Sequence, residues 1–132
     1  MSGLYHLDIT LTGAAQSLAV TLDTAAYLTQ RNKLPGIVQA HYGPVASQGG
    51  KNGGGYAVRM ITLQADGGNS AAVKVGDSTI AAASWGWFIP APTAAVPEPP
   101  LIIDGTNIQI HLDDIWLLGT ANDVVHITVQ PL

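Results

Sequence analysis

The chain has no cysteine. That excludes a disulfide framework, a thiolate metal site and a thiol nucleophile, and it suits assembly in a reducing cytoplasm. Charge is nearly as scarce. Charged residues make up 11% of the chain, against about 25% in ordinary soluble domains. The fixed cations Arg31, Lys33, Lys51, Arg59 and Lys74 are scattered. They form no basic stripe for phosphate contacts, so direct nucleic-acid binding is not expected. The sole glutamate, Glu98, stands among prolines, and the only adjacent acids are Asp113-Asp114. On a strand those two would point to opposite faces, so a turn before Ile115 is the expected role. No apolar run approaches the roughly 20 residues of a membrane helix. The opening Met1-Ser2-Gly3-Leu4-Tyr5-His6-Leu7-Asp8 has no basic segment followed by an apolar one, so no secretory leader is expected.

What is present is small and apolar. The 132 residues include 15 glycines, 47% are hydrophobic and the net charge is −4; the mean hydropathy is +0.26. This length fits one domain over 1–132 with a sizeable core. An uncharged surface has two readings: a Ser/Thr/Asn/Gln exterior, or faces covered by other subunits. The second is favoured, because charge is depleted at the centres of protein interfaces.

Periodicity says strands. Tyr5, Leu7, Ile9 and Leu11 alternate with His6, Asp8 and Thr10, and Leu18, Val20 and Leu22 alternate with Ala19 and Thr21. Further candidates are Ile37 to Tyr42, and Tyr56 to Leu63 with Val58, Met60 and Thr62 on one face. Ala71 to Val75 and Ser78 to Ala82 flank a Gly76-Asp77 turn, and Ile108 to Leu112, Ile115 to Leu118 and Val124 to Val129 follow. The expectation is an all-β sandwich of jelly-roll type with eight or nine short antiparallel strands. One short helix is predicted over Thr24 to Arg31.

Two segments break the rhythm. Residues 43–55 contain six glycines and read as a flexible loop; they lack the spacing of a phosphate-binding loop. Residues 89–101 hold five of the eight prolines. Proline removes ladder donors, so this is an extended excursion, serving either as a long connection or as an arm for a neighbouring subunit.

Catalytic or metal chemistry finds little support. His6, His41, His111 and His126 form no close ligand pair, so no zinc or copper site is expected. Asp66, Asp77 and Asp123 lie in turn-like sequences rather than a calcium loop. No cofactor is expected and no enzyme activity is assigned. The aromatic residues say more. Trp85, Trp87 and the single Phe88 lie in Ser84-Trp85-Gly86-Trp87-Phe88, and the third tryptophan is Trp116. An extended chain puts Trp85 and Trp87 on one side and Phe88 on the other. The stretch reads first as a plug at the end of a sandwich. The alternatives are an interface anchor or a sugar-stacking platform.

The runs Gly76-Asp77-Ser78-Thr79-Ile80, Trp87-Phe88-Ile89-Pro90, Ile102 to Leu112, and Asp114-Ile115-Trp116-Leu117-Leu118-Gly119-Thr120-Ala121-Asn122-Asp123-Val124-Val125-His126-Ile127 form a pattern. It resembles that of the jelly-roll decoration (cement) proteins of tailed bacteriophages, over about two-fifths of the chain. The proline-rich 90–100 insertion and the Trp-Gly-Trp-Phe run depart from that pattern. The resemblance implies a virion structural protein, made in the host cytoplasm and bound to the capsid exterior as a dimer or trimer. Its implied partner is the major capsid protein, whose intersubunit contacts it would reinforce. The expected contact residues are Leu4, Tyr5, Trp85, Trp87, Phe88, Pro97, Pro99 and Pro100, with both tails. A tail, neck or head-fibre component and a carbohydrate-binding module for host attachment are the rival readings.

Overall fold

A computed structural model describes residues 4–34, 57–92, 99–105 and 110–130. The strands are β1 (Tyr5–Thr10), β2 (Gln16–Ser17), β3 (Ala57–Val58), β4 (Met60–Ala65) and β5 (Val73–Gly76), then β6 (Trp87–Ile89), β7 (Leu101–Asp104), β8 (Ile110–His111), β9 (Trp116–Leu118) and β10 (Val124–Gln130). Their pairing is nested. β1 pairs with β10, β2 with β9, β3 with β8, β4 with β7 and β5 with β6, all antiparallel. The chain is thus one long hairpin, rolled up so that β10 also meets β4 and β9 also meets β5. Rolling produces two four-stranded sheets, β1-β10-β4-β7 and β2-β9-β5-β6, with β3-β8 as a short ribbon. This is the jelly-roll winding, an all-β sandwich.

Alternation supplies the core. Leu7 and Ile9 of β1, Ile61 and Leu63 of β4, and Val125, Ile127 and Val129 of β10 turn inward from the first sheet. Val73 and Val75, Ile89 and Leu117 meet them from the second, and all are buried. Each such side chain contributes about 1.5–3 kcal/mol relative to exposure.

Sequence expectation and structure part company in four places. Leu18–Leu22 is a helix, α1, rather than a strand. The Ser17 hydroxyl caps it by accepting from Val20 N, and Leu18 and Leu22 are buried while Val20 is 51% exposed. Helical i, i+4 spacing therefore decides over alternation. The predicted helix over Thr24 to Arg31 is split into a 3-10 turn (Ala25–Tyr27) and α2 (Leu28–Arg31). Arg59 interrupts the strand expected over Tyr56 to Leu63. Its N–H donates to Gln130 O and its carbonyl accepts from Gly105 N, which shifts the phase so that Val58 is buried with Ile61 instead of sharing a side with the half-buried Met60. Finally, Gly76-Asp77 does not open a hairpin to Ser78 to Ala82. The Asp77 carboxylate accepts from Thr79 N and Oγ1, making a local turn in a loop that leads to β6. The strand expected over Ile37 to Tyr42, the glycine-rich loop at 43–55 and Pro97 lie outside the described residues.

The split helix has a purpose. β1 is an edge strand, and exposed edges invite unwanted pairing. Asp8 N donates to Gln30 Oε1 (2.6 Å), Gln30 Nε2 donates to Asp8 O (3.0 Å), and Thr10 N donates to the Tyr27 hydroxyl (2.9 Å). A side-chain amide and a phenol thus occupy the place of a further strand.

Candidate interaction surface and cleft

Register decides which side chains share an outward face. On the second sheet Lys74 lies opposite both Leu118 and Phe88, and Gly76 opposite Trp116. The outward row is therefore Leu118, Lys74 and Phe88, with Trp116 beside it. Phe88 is 47% exposed and Trp85 46%, with ring centroids 5.4 Å apart at 39°. The Lys74 ammonium is drawn aside, donating to the Ala82 carbonyl at 2.6 Å. The face is aromatic and aliphatic, and Lys74, its one cation among the described residues, is already engaged.

The aromatic stretch is no core plug. Strict alternation also fails, because the chain bends at Gly86 before β6 begins and Trp85 packs on Phe88. Gly86 permits the bend: its N–H donates to Val75 O at 2.9 Å, and a Cβ there would lie 3.2 Å from that same oxygen. Trp87, 51% exposed, lies opposite Val75 on the inward side of β6. There it walls an open cleft of about 380 Å³ at the mouth of the sandwich. Val75, Ile80, Ile103 and Ile115 line the cleft, and Asp77, Thr79, Ser84 and Asp114 reach its rim. Asp114 lies in the expected turn, a 3-10 turn at Leu112–Asp114. A second cleft of about 360 Å³ lies between α1, Tyr27 and Trp116, with Val20 on its wall.

The other predicted contact residues are dispersed. Pro99 and Pro100 are exposed just ahead of β7. Leu4 is exposed, but Tyr5 packs against the core. Both belong to the end of the first sheet remote from β7, so they do not join the aromatic cluster.

The first sheet carries a polar feature that sequence reading missed. His126 lies opposite Asp8, and its Nδ1 and Nε2 each lie 2.7 Å from a carboxylate oxygen, of Asp8 and Asp66 respectively. Both neighbours are carboxylates, so the arrangement favours the doubly protonated ring, the imidazolium, in which both nitrogens donate. The Asp8 and Asp66 hydrogen bonds hold the His126 pKa above its ordinary 6.5. The His126 bond, helped by Gly68 N–H, holds Asp66 below its ordinary 3.8. Among the described residues no group of three or more His, Asp or Glu side chains is arranged to hold a metal. Asp123 instead accepts from Ser70 N and Oγ and from Ala71 N, pinning one turn to another. No described helix is long and apolar enough to cross a membrane.

No protein-family model, curated protein or solved structure matches the chain. The surface chemistry therefore carries the functional argument.

Proposed function

We propose that this protein is a structural subunit of a tailed-phage virion that binds the capsid exterior and reinforces contacts between major capsid subunits, without catalysis. The observation that carries the reading is the outward aromatic face of the β2-β9-β5-β6 sheet. Half-exposed Trp85 and Phe88 share that side with Leu118 and Trp116, on a chain with 11% charged residues. Burying such a face gains about 25 cal/mol per Å² gross, offset by the freedom lost on association. Repetition over a lattice, together with dimer or trimer formation, multiplies modest contacts. The apolar cleft beside Trp116 extends the same surface towards Val20.

The test is occupancy on lattices assembled from the major capsid protein of the same virion, measured by co-sedimentation and cryo-electron microscopy. Wild-type protein should decorate the exterior at fixed symmetry positions. Phe88→Asp and Leu118→Asp should each weaken occupancy at least tenfold. Absence of binding, or binding unaltered by either substitution, overturns the proposal. Label found on the tail or neck instead of the shell selects the rival structural role.

A further inference from the structure

We propose that the cleft at the mouth of the sandwich is a binding site for a neutral pyranose ring. This differs from the docking reading in its principal contacts, because the cleft uses the inward side of β6 and docking the outward side, with Trp85 bordering both. Three properties of the site lead to this ligand class.

The first is shape and lining. A space of about 380 Å³ falls within the 300–1,000 Å³ of small-ligand sites. Its apolar part consists of buried Val75, Ile80 and Ile115 with half-buried Ile103. Trp87, with half its surface open, and Trp85 stand beside it. Flat aromatic surface next to aliphatic side chains suits the C–H face of a sugar ring.

The second is the polar rim. A ligand edge bearing hydroxyl donors needs acceptors, and ionised carboxylates are acceptors only. No hydrogen bond or ion pair engages the Asp114 carboxylate among the described residues. Asp77 commits Oδ1 to Thr79 N (2.8 Å) and Thr79 Oγ1 (2.6 Å), leaving Oδ2 open. Ser84 and Thr79 add hydroxyl groups. The two carboxylates, with no cation lining the cleft among the described residues, repel phosphates, sulfates and acidic sugars. A flat apolar body with several neutral hydroxyls satisfies both halves of the site.

The third is rigidity. The loop carrying the rim is held by Ile80 N to Asp77 O (3.0 Å), and by Ala81 and Ser84, which exchange backbone bonds of 2.8 and 3.1 Å. Gly86 is tied to Val75. A site held in this way loses little conformational freedom on binding.

The experiment titrates the protein with a panel of methyl pyranosides of glucose, galactose, mannose and N-acetylglucosamine. Binding is followed by tryptophan fluorescence and by NMR, and a glycan array covers longer oligosaccharides. At least one neutral sugar should bind saturably and shift the indole signals of Trp87. Trp87→Ala and Asp114→Asn should each weaken that binding at least tenfold, whereas Leu118→Asp, on the outward face, should leave it unchanged. Asp114 is exposed, so its substitution tests the site even if Trp87→Ala fails to fold. The proposal is overturned if no neutral sugar binds in either format, if both variants bind as wild type does, or if only an ammonium ligand or inorganic phosphate occupies the cleft. A positive result coupled with failure of capsid binding would retain the cleft and discard the docking reading.

Discussion

The two outward faces of the sandwich obey the same rule and end up chemically opposite. On the β1-β10-β4-β7 sheet, outward positions carry mainly polar residues, His6, Asp8, His126, Thr128, Thr62 and Gln64, with Met60 and the exposed Ile102 as apolar exceptions. The Asp8–His126–Asp66 bridge spans that face, and Gln30 and Tyr27 cover its free edge. On the β2-β9-β5-β6 sheet the equivalent positions carry Trp116, Leu118, Lys74 and Phe88, and Trp85 lies over the edge. The first face joins its charged groups to one another through His126. The second has few polar groups to satisfy and leaves large rings in water. A strand needs only one apolar side to build a core, so a second apolar side calls for a separate explanation.

The harshest way to break the contrast is to remove the core that both faces share. Ile127 is buried in β10, and Ile127→Ala should cost about 2–5 kcal/mol. Chemical denaturation should show this as one cooperative transition at a lower midpoint, with both faces lost together. Next in size is Asp123→Ala, which leaves the Ser70 and Ala71 donors unpaired and should cost about 1–3 kcal/mol. An unchanged midpoint would mean that water replaces the carboxylate.

A smaller stability effect sharpens the contrast instead. Phe88→Ser removes a half-exposed ring and should shift stability by less than about 1 kcal/mol, while self-association in light scattering falls. The same assay applied to Thr128→Ser on the polar face should show no change. If both substitutions behave alike, the two faces do not differ in function.

The smallest effect belongs to the His126 bridge, which is exposed and screened. Its sign follows from linkage. His126 is raised on folding, so its contribution is complete below about 6.5 and is lost as pH rises through the higher folded value. Asp66 is lowered, so its contribution is present above about 3.8 and is lost as pH falls through the lower folded value. The stability difference between wild type and His126→Gln should therefore peak between those two pH values and shrink on either side. Identical pH profiles for the two proteins would remove the bridge from the account.

Much of the fold was legible because period-2 patterns are local. Tyr5 to Leu11 and the second half of the stretch expected over Tyr56 to Leu63 showed their alternating sides before any pairing was known, and Val124 to Val129 read as a strand. Leu18 to Leu22 misled, since alternation over five residues also accommodates one helical turn; the Ser17 cap was the available signal. The site was less legible. Asp8 and His126 are 118 residues apart, and Asp77 and Asp114 reach one cleft from different loops. Aromatic clustering at 85–88 was visible, but its exposure was not, because nothing local says whether a neighbouring sheet covers a ring.

The order of side chains settled that this chain would build pleated segments with an oily side, carry little charge and crowd its rings near residue 86. Those properties depend on neighbours one and two positions away. Rolling the hairpin decided the rest. It set Lys74 between Leu118 and Phe88, turned Trp87 towards the sandwich mouth and placed one imidazole between two carboxylates. Lateral partners come from nested pairing over long separations, which a pattern of period two does not encode.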